Sequence, residues 1–368
     1  MMMMMVMMAD KYPSYEESPS VELLYPSGDR ERFILAQPKD RHEHTPLEDL
    51  LTTMTLLASE YKSAFPSSFL DDLEKPIVRK DHHRLRALVN TFNDQIRGLR
   101  EAGRFGGEPL PCSMQMSSHI WGQAYERTIE NPRVLNQYKG FSKEVYGETN
   151  PILINDIITK HLVLRPGDVF IDLGSGIGNV VFQVAAQTQC TSYGIELKDN
   201  PSRLAGVIQR EAEARCRYYH KGVGNIFQRQ GDFLGDESTS KILARANVVF
   251  VNNFAFEAET NQGLLLQFLN LREGARIICF KEFSAATNRI TAYNHNDVGG
   301  IFKTERIEFW ANDGVSWTSK HIHFFVHVVD RTGVKEFEKE STEDSQRKTK
   351  KPDSRDSSPH GAKRAKVN

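Results

Sequence analysis

The sequence has few of the features that mark membrane, secreted or metal-binding proteins. Its 368 residues include only four cysteines, Cys112, Cys190, Cys216 and Cys279, and no two of them form a CxxC pair. A zinc site or a thioredoxin-type redox motif is therefore not expected. So few thiols in a long chain fit the reduced interior of the cytosol or nucleus. No apolar run approaches the ~20 residues that a membrane-spanning helix needs.

An excess of either charge is also absent. The chain carries 47 Lys and Arg against 48 Asp and Glu, a formal net charge of −1, which excludes a protein that is basic throughout. The basic residues are unevenly distributed, however. Residues 346–368 hold eight Lys or Arg and two Asp, so the rest of the chain has 39 basic and 46 acidic residues and a formal charge of −7. We predict a disordered basic tail over 334–368 that serves in nuclear import, DNA contact, or both.

The first 140 residues favour helices. The segment Met1–Met8 is too short for the apolar core of a signal peptide and lacks a basic flank, so we interpret residues 1–19 as a disordered leader. The run Thr45-Pro46-Leu47-Glu48 is typical of a helix start, and apolar residues recur at helical spacing as far as residue 99. We therefore predict a mainly helical part over 20–140, with two or more helices within 46–103.

From Pro151 onward, apolar runs typical of buried strands alternate with helical stretches. The predicted strands are 169–173, 191–196, 226–230, 248–251 and 276–280, and the predicted helices are 151–164, 179–188, 201–220 and 262–269. This alternation predicts an α/β fold with a doubly wound, mostly parallel sheet. Two last strands, at 301–309 and 321–329, have no helix between them and predict an antiparallel hairpin at the sheet edge.

The most informative stretch is Val169–Asn179, with the sequence VFIDLGSGIGN. It predicts a buried strand, a tight glycine turn that can lie against a ligand, and a helix whose N-terminus offers free amides. Dinucleotides and S-adenosylmethionine both bind such turns. The dinucleotide pattern fits poorly, because Asn179 stands at its third glycine position. Asp172 before the first glycine would repel a pyrophosphate but attract a cofactor that carries an amino group.

Further polar residues follow at the ends of successive predicted strands. Glu196 is placed where a carboxylate can hold two ribose hydroxyls. Asp232 can accept a hydrogen bond from an adenine amino group, with Phe233 against the ring. Asn252 can orient groups without adding charge, and Phe256 can form an apolar wall, which suits methyl transfer because that reaction needs positioning above all. Capping carboxylates and core packing would explain these residues singly, but not the ordered set of three acids.

Taken together, these residues resemble a known family, the Dot-one family (disruptor of telomeric silencing). The resemblance covers roughly residues 20–333, and its motifs are FSKEVYGET (141–149), VFIDLGSGIGN (169–179), GIE (194–196), GDFL (231–234), VNNFAF (251–256) and VSWT (315–318). It implies a class I, seven-strand S-adenosylmethionine-dependent methyltransferase sheet over 141–333 rather than a SET fold. It also implies a nuclear enzyme that methylates a core-face lysine of histone H3 in nucleosomes, with roles in telomeric silencing and the DNA damage checkpoint.

The same resemblance implies roles for individual residues. A loop over the methionine end of the cofactor would be formed by Tyr146, Gly147, Glu148 and Thr149. The glycine loop would comprise Phe170, Ile171, Asp172, Leu173, Gly174, Ser175, Gly176, Ile177, Gly178 and Asn179. Glu196 would bind the ribose, and Asp232 with Phe233 the adenine. The residues around the transferred methyl group and the lysine channel would be Asn252, Tyr146, Phe141, Phe256, Trp317 and Phe324, the last standing where a Tyr is usual.

Burial in such a channel would disfavour the ammonium form of the substrate lysine and free its lone pair for attack. No His or carboxylate is needed as a general base, and His82-His83 has no further ligands beside it in sequence, so metal binding is not expected. The implied partners are the nucleosome and its DNA. Two other hypotheses remain open at this point: a class I methyltransferase for RNA or a small molecule, and a chromatin-binding module without catalytic activity.

Overall fold

The described residues in the first third of the chain form a β-hairpin and several helices. The computed structural model describes residues 19–35, 45–73, 81–129, 150–283, 298–310 and 322–349, and the statements below concern these residues. The elements of this part are β1 (Ser20–Leu24), β2 (Arg30–Ile34), α1 (Pro46–Glu60), α2 (His82–Glu101), the two-residue strand β3 (Leu110–Pro111) and α3 (Met114–Thr128). The strands β1 and β2 pair antiparallel.

Local capping explains where these helices begin. At the start of α1 the Thr45 hydroxyl accepts a hydrogen bond from the Glu48 amide at 3.0 Å, and the Glu48 carboxylate accepts one from the Thr45 amide at 3.1 Å. This confirms the predicted helix start. Helix α3 lies within the predicted helical part over 20–140, but its bounds were not predicted, because its buried face includes Ser117 and Gln123, which weaken the helical period of hydrophobicity.

The remainder of the described chain forms the central sheet and its flanking helices. In chain order the elements are α4 (Pro151–Asp156, followed by a π-helical turn at Ile157–His161), β4 (Val169–Leu173), α5 (Asn179–Thr188), β5 (Thr191–Glu196), α6 (Asp199–Tyr218), β6 (Lys221–Gly222), β7 (Ile226–Gln230), α7 (Glu237–Leu243), β8 (Val248–Val251), α8 (Ala258–Gln267), β9 (Arg276–Cys279), β10 (Phe302–Phe309), β11 (Ile322–Val329) and α9 (Thr332–Thr349). The short strands β3 and β6 pair in parallel and tie the N-terminal part to this half.

The sheet has seven strands in the order β10-β11-β9-β8-β4-β5-β7. All its pairs are parallel except those of β11, which runs antiparallel to both β9 and β10. The predicted doubly wound sheet and its antiparallel hairpin are therefore confirmed. Four of the predicted strands, β4, β5, β7 and β8, have the predicted bounds, and β9 ends one residue earlier.

Apolar side chains form three clusters around the sheet. The first joins the N-terminal helices to α5 and α6, and includes Phe92, Phe182 and Cys216. Alternate residues of each strand supply the other two, since successive side chains point to opposite faces. Ile171 packs in the second cluster, with α7 and α8, and its neighbour Phe170 in the third, with α4. The N-terminal part thus shares a core with the half that contains the central sheet.

The predicted disorder of the tail is wrong for residues 334–349, which belong to α9. The first turn of this helix is anchored: the Asp330 carboxylate accepts a hydrogen bond from the Thr332 amide at 2.9 Å, and the Arg331 guanidinium donates to the carbonyl oxygens of Leu269 and Leu271, both at 2.8 Å. An anchored first turn supplies the nucleus that a charged, weakly apolar helix otherwise lacks. The rest of the predicted tail and residues 1–18 of the predicted leader lie outside the described residues.

Candidate active site

Three carboxylates lie at one edge of the sheet. Asp172 is the penultimate residue of β4, Glu196 is the last residue of β5, and Asp232 follows β7 by two residues. These three strands are neighbours and run parallel, so their carboxyl ends share an edge. In open α/β sheets ligands bind at that edge, where the strand order reverses. The structure thus brings together the three acids that the sequence analysis singled out.

The glycine loop between β4 and α5 has a backbone that other residues rarely adopt. Gly174, Gly176 and Gly178 have φ angles of 89°, 56° and 90°. The loop is tied to the neighbouring strand, because the amides of Gly174 and Ser175 donate to the carbonyl oxygen of Ile195 at 2.8 and 3.1 Å. A loop with this curvature at the start of a helix presents backbone amides to a ligand.

Gln228 on β7 fills the space that two glycines leave open. A Cβ atom at Gly178 would lie 2.0 Å from Gln228 Nε2, and one at Gly194 would lie 2.1 Å from Gln228 Oε1. Both distances are much shorter than a van der Waals contact, so a side chain at either glycine would collide with the Gln228 amide. The amide therefore packs directly against the backbone of the two glycines. This contact could not be predicted from the sequence, because it joins three positions that are far apart in the chain.

The electrostatics of the site centre on Asp172 and Glu196. The Glu196 carboxylate accepts hydrogen bonds from the amides of Gly176 and Lys198, both at 2.9 Å, so it braces the glycine loop. Asp172 is 3% exposed. Its burial, and then the negative charge of Glu196, raise the pKa of Asp172 to about 8. At neutral pH the Asp172 carboxyl group is therefore mostly protonated, and a cation placed beside it would favour its ionised form.

Two aromatic rings line the same edge of the sheet. Phe233 and Phe256 stack with ring centroids 5.8 Å apart and planes at 24°. The Phe256 ring also reaches the glycine loop, where its Cζ atom lies 3.4 Å from the position of a Cβ on Gly174. The turn that carries Phe233 is held by Gln267 of α8, whose amide donates to the carbonyl oxygens of Phe233 and Leu234 at 2.8 and 2.7 Å. Gln267 had no signal in the sequence.

Asp232 contacts its own turn. Its carboxylate accepts a hydrogen bond from the Leu234 amide at 2.9 Å. Asn252 directly follows β8 and precedes a 3₁₀ turn at Asn253–Ala255. Asn253 is fully buried, although the sequence analysis gave it no role.

Phe324 and Phe256 pack in different apolar clusters, and that both line one lysine channel stays a prediction. Phe324 is fully buried in the third cluster, and its ring packs edge-on against His161 at 5.4 Å. Its neighbour Phe325 points to the opposite face and joins the cluster that Phe256 contacts. The alternation of side chains along β11 explains this separation. The other predicted channel and loop residues, Phe141, Tyr146, Gly147, Glu148, Thr149 and Trp317, lie outside the described residues.

The described ranges hold neither a metal centre nor a membrane span. Within them, no group of three or more His, Cys, Asp or Glu side chains is placed to hold a metal ion. No helix in the same ranges is long and apolar enough to cross a membrane.

A seven-stranded sheet of this order, with its one antiparallel strand second from the edge and a glycine loop after the central strand, defines the class I S-adenosylmethionine-dependent methyltransferase fold. Residues 125–329 match the model of the family described as "Histone methylation protein DOT1". The chain belongs to this family. The resemblance noted from the sequence is thereby confirmed.

Relatives of the chain occur in fungi and in an insect. Proteins named "Histone-lysine N-methyltransferase, H3 lysine-79 specific" are 32% identical to it in Aspergillus fumigatus, over 86% of this chain and 65% of that protein, and 32% identical in Emericella nidulans, over 88% and 68%. The protein of that name in Drosophila melanogaster is 33% identical over 83% of this chain and 17% of its own length. The chain therefore spans about two thirds of the length of the fungal relatives.

Proposed function

We propose that this protein is a nuclear histone-lysine N-methyltransferase that transfers methyl groups from S-adenosylmethionine to a core-face lysine of histone H3 in nucleosomes, and that it acts in chromatin regulation and telomeric silencing. The observation that carries the proposal is the set of Asp172, Glu196 and Asp232 at one sheet edge, around a glycine loop with three positive φ angles. Membership of the family supports the histone substrate, since the relatives bear that name.

The residues present suit the cofactor that the proposal requires. Asp172 is buried, and burial favours its neutral carboxyl group. The ammonium group of S-adenosylmethionine, placed beside it, would favour the carboxylate and pair with it. Glu196 already accepts two backbone hydrogen bonds, and a carboxylate can accept more, so it can also hold ribose hydroxyls. Phe233 offers a flat apolar surface for adenine, beside Asp232. S-adenosylmethionine would supply an electrophilic methyl group on a sulfonium.

For the transfer itself the protein needs to position the lysine and exclude water. Phe256 forms part of an apolar wall between the glycine loop and Phe233. An apolar wall lowers the pKa of an approaching lysine and so favours the neutral amine that attacks. Asn252 at the adjoining strand end is proposed to orient the reacting groups. The Tyr146–Thr149 loop, Phe141, Trp317 and Phe324 are proposed to complete the channel.

In the decisive experiment the protein is incubated with labelled S-adenosylmethionine and one candidate substrate. Nucleosomes, free histones, RNA and DNA are tested in parallel. We expect label on histone H3 in nucleosomes, and on a single lysine when the product is mapped by mass spectrometry. Label on RNA would establish the rival RNA methyltransferase. A complete lack of transfer, with cofactor binding retained, would establish the rival binding module instead.

The basic tail adds a separate prediction about DNA. We propose that six basic residues beyond α9 contact nucleosomal DNA: Lys350, Lys351, Arg355, Lys363, Arg364 and Lys366. Truncation after Thr349 should weaken nucleosome binding. It should also make the negative slope of log K against log salt less steep, by about 0.9 for each DNA phosphate that the tail no longer neutralises. A chain of full length with Gln at these six positions is the matched control, and it should behave like the truncation. An unchanged salt slope in both variants would refute the contact, whereas cofactor affinity should not change.

A further inference from the structure

The fully buried side chain of Asn253 extends the sheet beyond its last regular hydrogen bonds. The parallel pairing of β8 and β9 ends at Val251 and Cys279. Past that point the Asn253 carboxamide oxygen accepts from the amides of Phe280 at 3.0 Å and Lys281 at 2.9 Å. Its Nδ2 donates to the Lys281 carbonyl oxygen at 2.9 Å. The side chain therefore acts as a substitute peptide group between two strand ends.

A second amide connects this point to the turn that follows. Asn253 Nδ2 also donates to Asn261 Oδ1 at 2.8 Å, and Asn261 lies in α8. Asn261 Nδ2 in turn donates to the carbonyl oxygens of Phe256 at 3.3 Å and Glu257 at 2.9 Å. The backbone adds one bond, from the Phe256 amide to the Asn253 carbonyl oxygen at 3.1 Å. The turn from 253 to 257 is thus held at both ends by two side-chain amides.

An amide is required at Asn253 because its oxygen and its nitrogen are both used twice. A carboxylate would keep the two acceptor bonds but would lose both donors and face the carbonyl oxygen of Lys281. An aliphatic side chain would leave two amides and a carbonyl of the strand end without these partners in a part-buried place, which is costly. Simple packing at this position would not demand an amide.

We infer that Asn253 and Asn261 form a positioning clamp, which sets Asn252 and the Phe256 ring for methyl transfer without touching the cofactor or the lysine themselves. The inference rests on the proposed function. It follows from the location of the clamp: Asn252 directly precedes it, and the Phe256 ring at its other end lies against both Gly174 and Phe233. Small displacements of positioned groups are expensive in rate, since an error of 1 Å can cost ~100-fold.

The test compares Asn253→Asp with a matched change of a buried amide far from the site. Asn93 in α2 accepts from the Leu24 amide and donates to the Glu22 carbonyl oxygen, both at 2.8 Å, so Asn93→Asp loses a comparable donor bond in the N-terminal part. Three quantities are measured: the melting temperature, the Kd for S-adenosylmethionine, and the single-turnover rate on nucleosomes. We expect Asn253→Asp to slow transfer at least ~10-fold with a Kd close to wild type, because the acids and the glycine loop lie on other strands.

Hydrogen exchange of residues 252–257 separates the clamp from the reaction. Faster exchange together with slow transfer in Asn253→Asp, and normal transfer in an equally destabilised Asn93→Asp, would support the inference. Unchanged exchange, or faster exchange with normal transfer, would overturn it. A loss of cofactor affinity as large as the loss of rate would also overturn it. If the wild-type protein methylates nothing, the proposed function fails, and exchange alone then decides whether the clamp exists.

Discussion

Replacement of Asp172 by asparagine should stabilise the free protein and at the same time weaken its affinity for S-adenosylmethionine. Burial and the charge of Glu196 raise the pKa of Asp172 to about 8, so the folded protein resists ionisation of this group. An asparagine has no charge to bury. We therefore expect a gain of up to ~5 kcal/mol in the free energy of unfolding at pH 8. A stability cost at a strand end that faces a ligand site is typical of functional residues.

The pH dependence of this gain has a definite sign. Because the pKa is raised in the folded state, the stability contributed by Asp172 is complete below the unfolded pKa of ~3.9 and is lost as the pH rises to about 8. The difference in unfolding free energy between Asp172→Asn and wild type should therefore grow between pH 4 and pH 8 and then level off. Urea unfolding at a series of pH values measures it. A constant difference across this range would contradict the assignment.

The affinity for S-adenosylmethionine should also depend on pH, because binding and folding both act on the ionisation of Asp172. An ammonium group beside Asp172 favours the carboxylate, so binding below pH 8 must release a proton, and the Kd of the wild-type protein should fall by up to ~10-fold per pH unit as the pH rises. In Asp172→Asn the affinity should be ~100-fold weaker and nearly independent of pH, because a charge-assisted hydrogen bond is lost. Calorimetry in two buffers of different ionisation enthalpy counts the protons.

Asp168→Asn is the matched control. Asp168 lies just before the other end of β4, where its carboxylate accepts hydrogen bonds from Asn247 Nδ2 at 2.6 Å and from the Arg165 amide at 2.8 Å. This variant removes one charge from the same strand region but none from the site. Its Kd should match wild type at every pH. An equal loss of affinity in both variants would mean that the net charge of the chain, rather than Asp172, determines binding.

Much of the sheet could be predicted because buried parallel strands have a local signature. Strands such as β4 and β8 are short, continuous apolar runs between turn residues, and these need no knowledge of distant contacts. The three acids at the sheet edge could be predicted for the same reason, since they stand where such runs end. The bounds of helix α3 could not be predicted in this way, because its buried face includes the polar residues Ser117 and Gln123, which contact residues elsewhere in the chain.

The missed residues of the site share one property. Gln228, Gln267 and Asn253 each act on backbone groups of another element, so their polar side chains look like ordinary surface residues in the sequence. The choice between Phe324 and Phe325 is hard for a related reason. Adjacent aromatic residues on a strand point to opposite faces, and only the register of β11 against its neighbours decides which of the two faces the site.

The second large effect is expected at Glu31, where alanine should destabilise the protein by ~3–5 kcal/mol. Glu31 lies on β2 and is 8% exposed at its side chain. It pairs with Arg127 of α3 and Arg215 of α6, both at 2.9 Å, and accepts a hydrogen bond from the Tyr25 hydroxyl at 2.6 Å. Arg127 also pairs with Asp49 at 2.9 Å. Removal of Glu31 leaves two buried guanidinium groups short of negative charge.

A control for Glu31→Ala lies on the same hairpin. Glu22 pairs with Arg30 at 2.9 Å, but the two side chains are 58% and 48% exposed. Exposed pairs of this kind contribute ~0–1 kcal/mol, so Glu22→Ala should be nearly silent. Urea unfolding of the two variants beside wild type measures the difference. Equal effects would show that the hairpin, and not the buried charge cluster, accounts for the loss.

Part of the protein's loss of stability in acid should come from Glu31. Burial alone would raise the pKa of Glu31, but the charges of Arg127 and Arg215 outweigh it and lower the pKa to about 2. A lowered pKa contributes stability that is present above the unfolded pKa of ~4.3 and is lost as the pH falls towards 2. The difference in unfolding free energy between wild type and Glu31→Gln should therefore shrink between pH 5 and pH 2. Over this range the wild-type protein loses the stabilising charge of Glu31, which the variant lacks at every pH.

These two effects should be separable in the folded protein. Arg215 lies sixteen residues after Asp199, the first residue of α6, so the Glu31 cluster is ~24 Å along the helix axis from the start of α6, which follows Glu196 by three residues. The cluster joins the N-terminal hairpin and helices to α6, but it has no contact with the glycine loop among the described residues. We therefore expect Glu31→Ala to keep the wild-type Kd for S-adenosylmethionine at temperatures where it is still folded. A weaker Kd under those conditions would mean that α6 transmits strain from the hairpin to the site, and Glu196 would be the residue through which it acts.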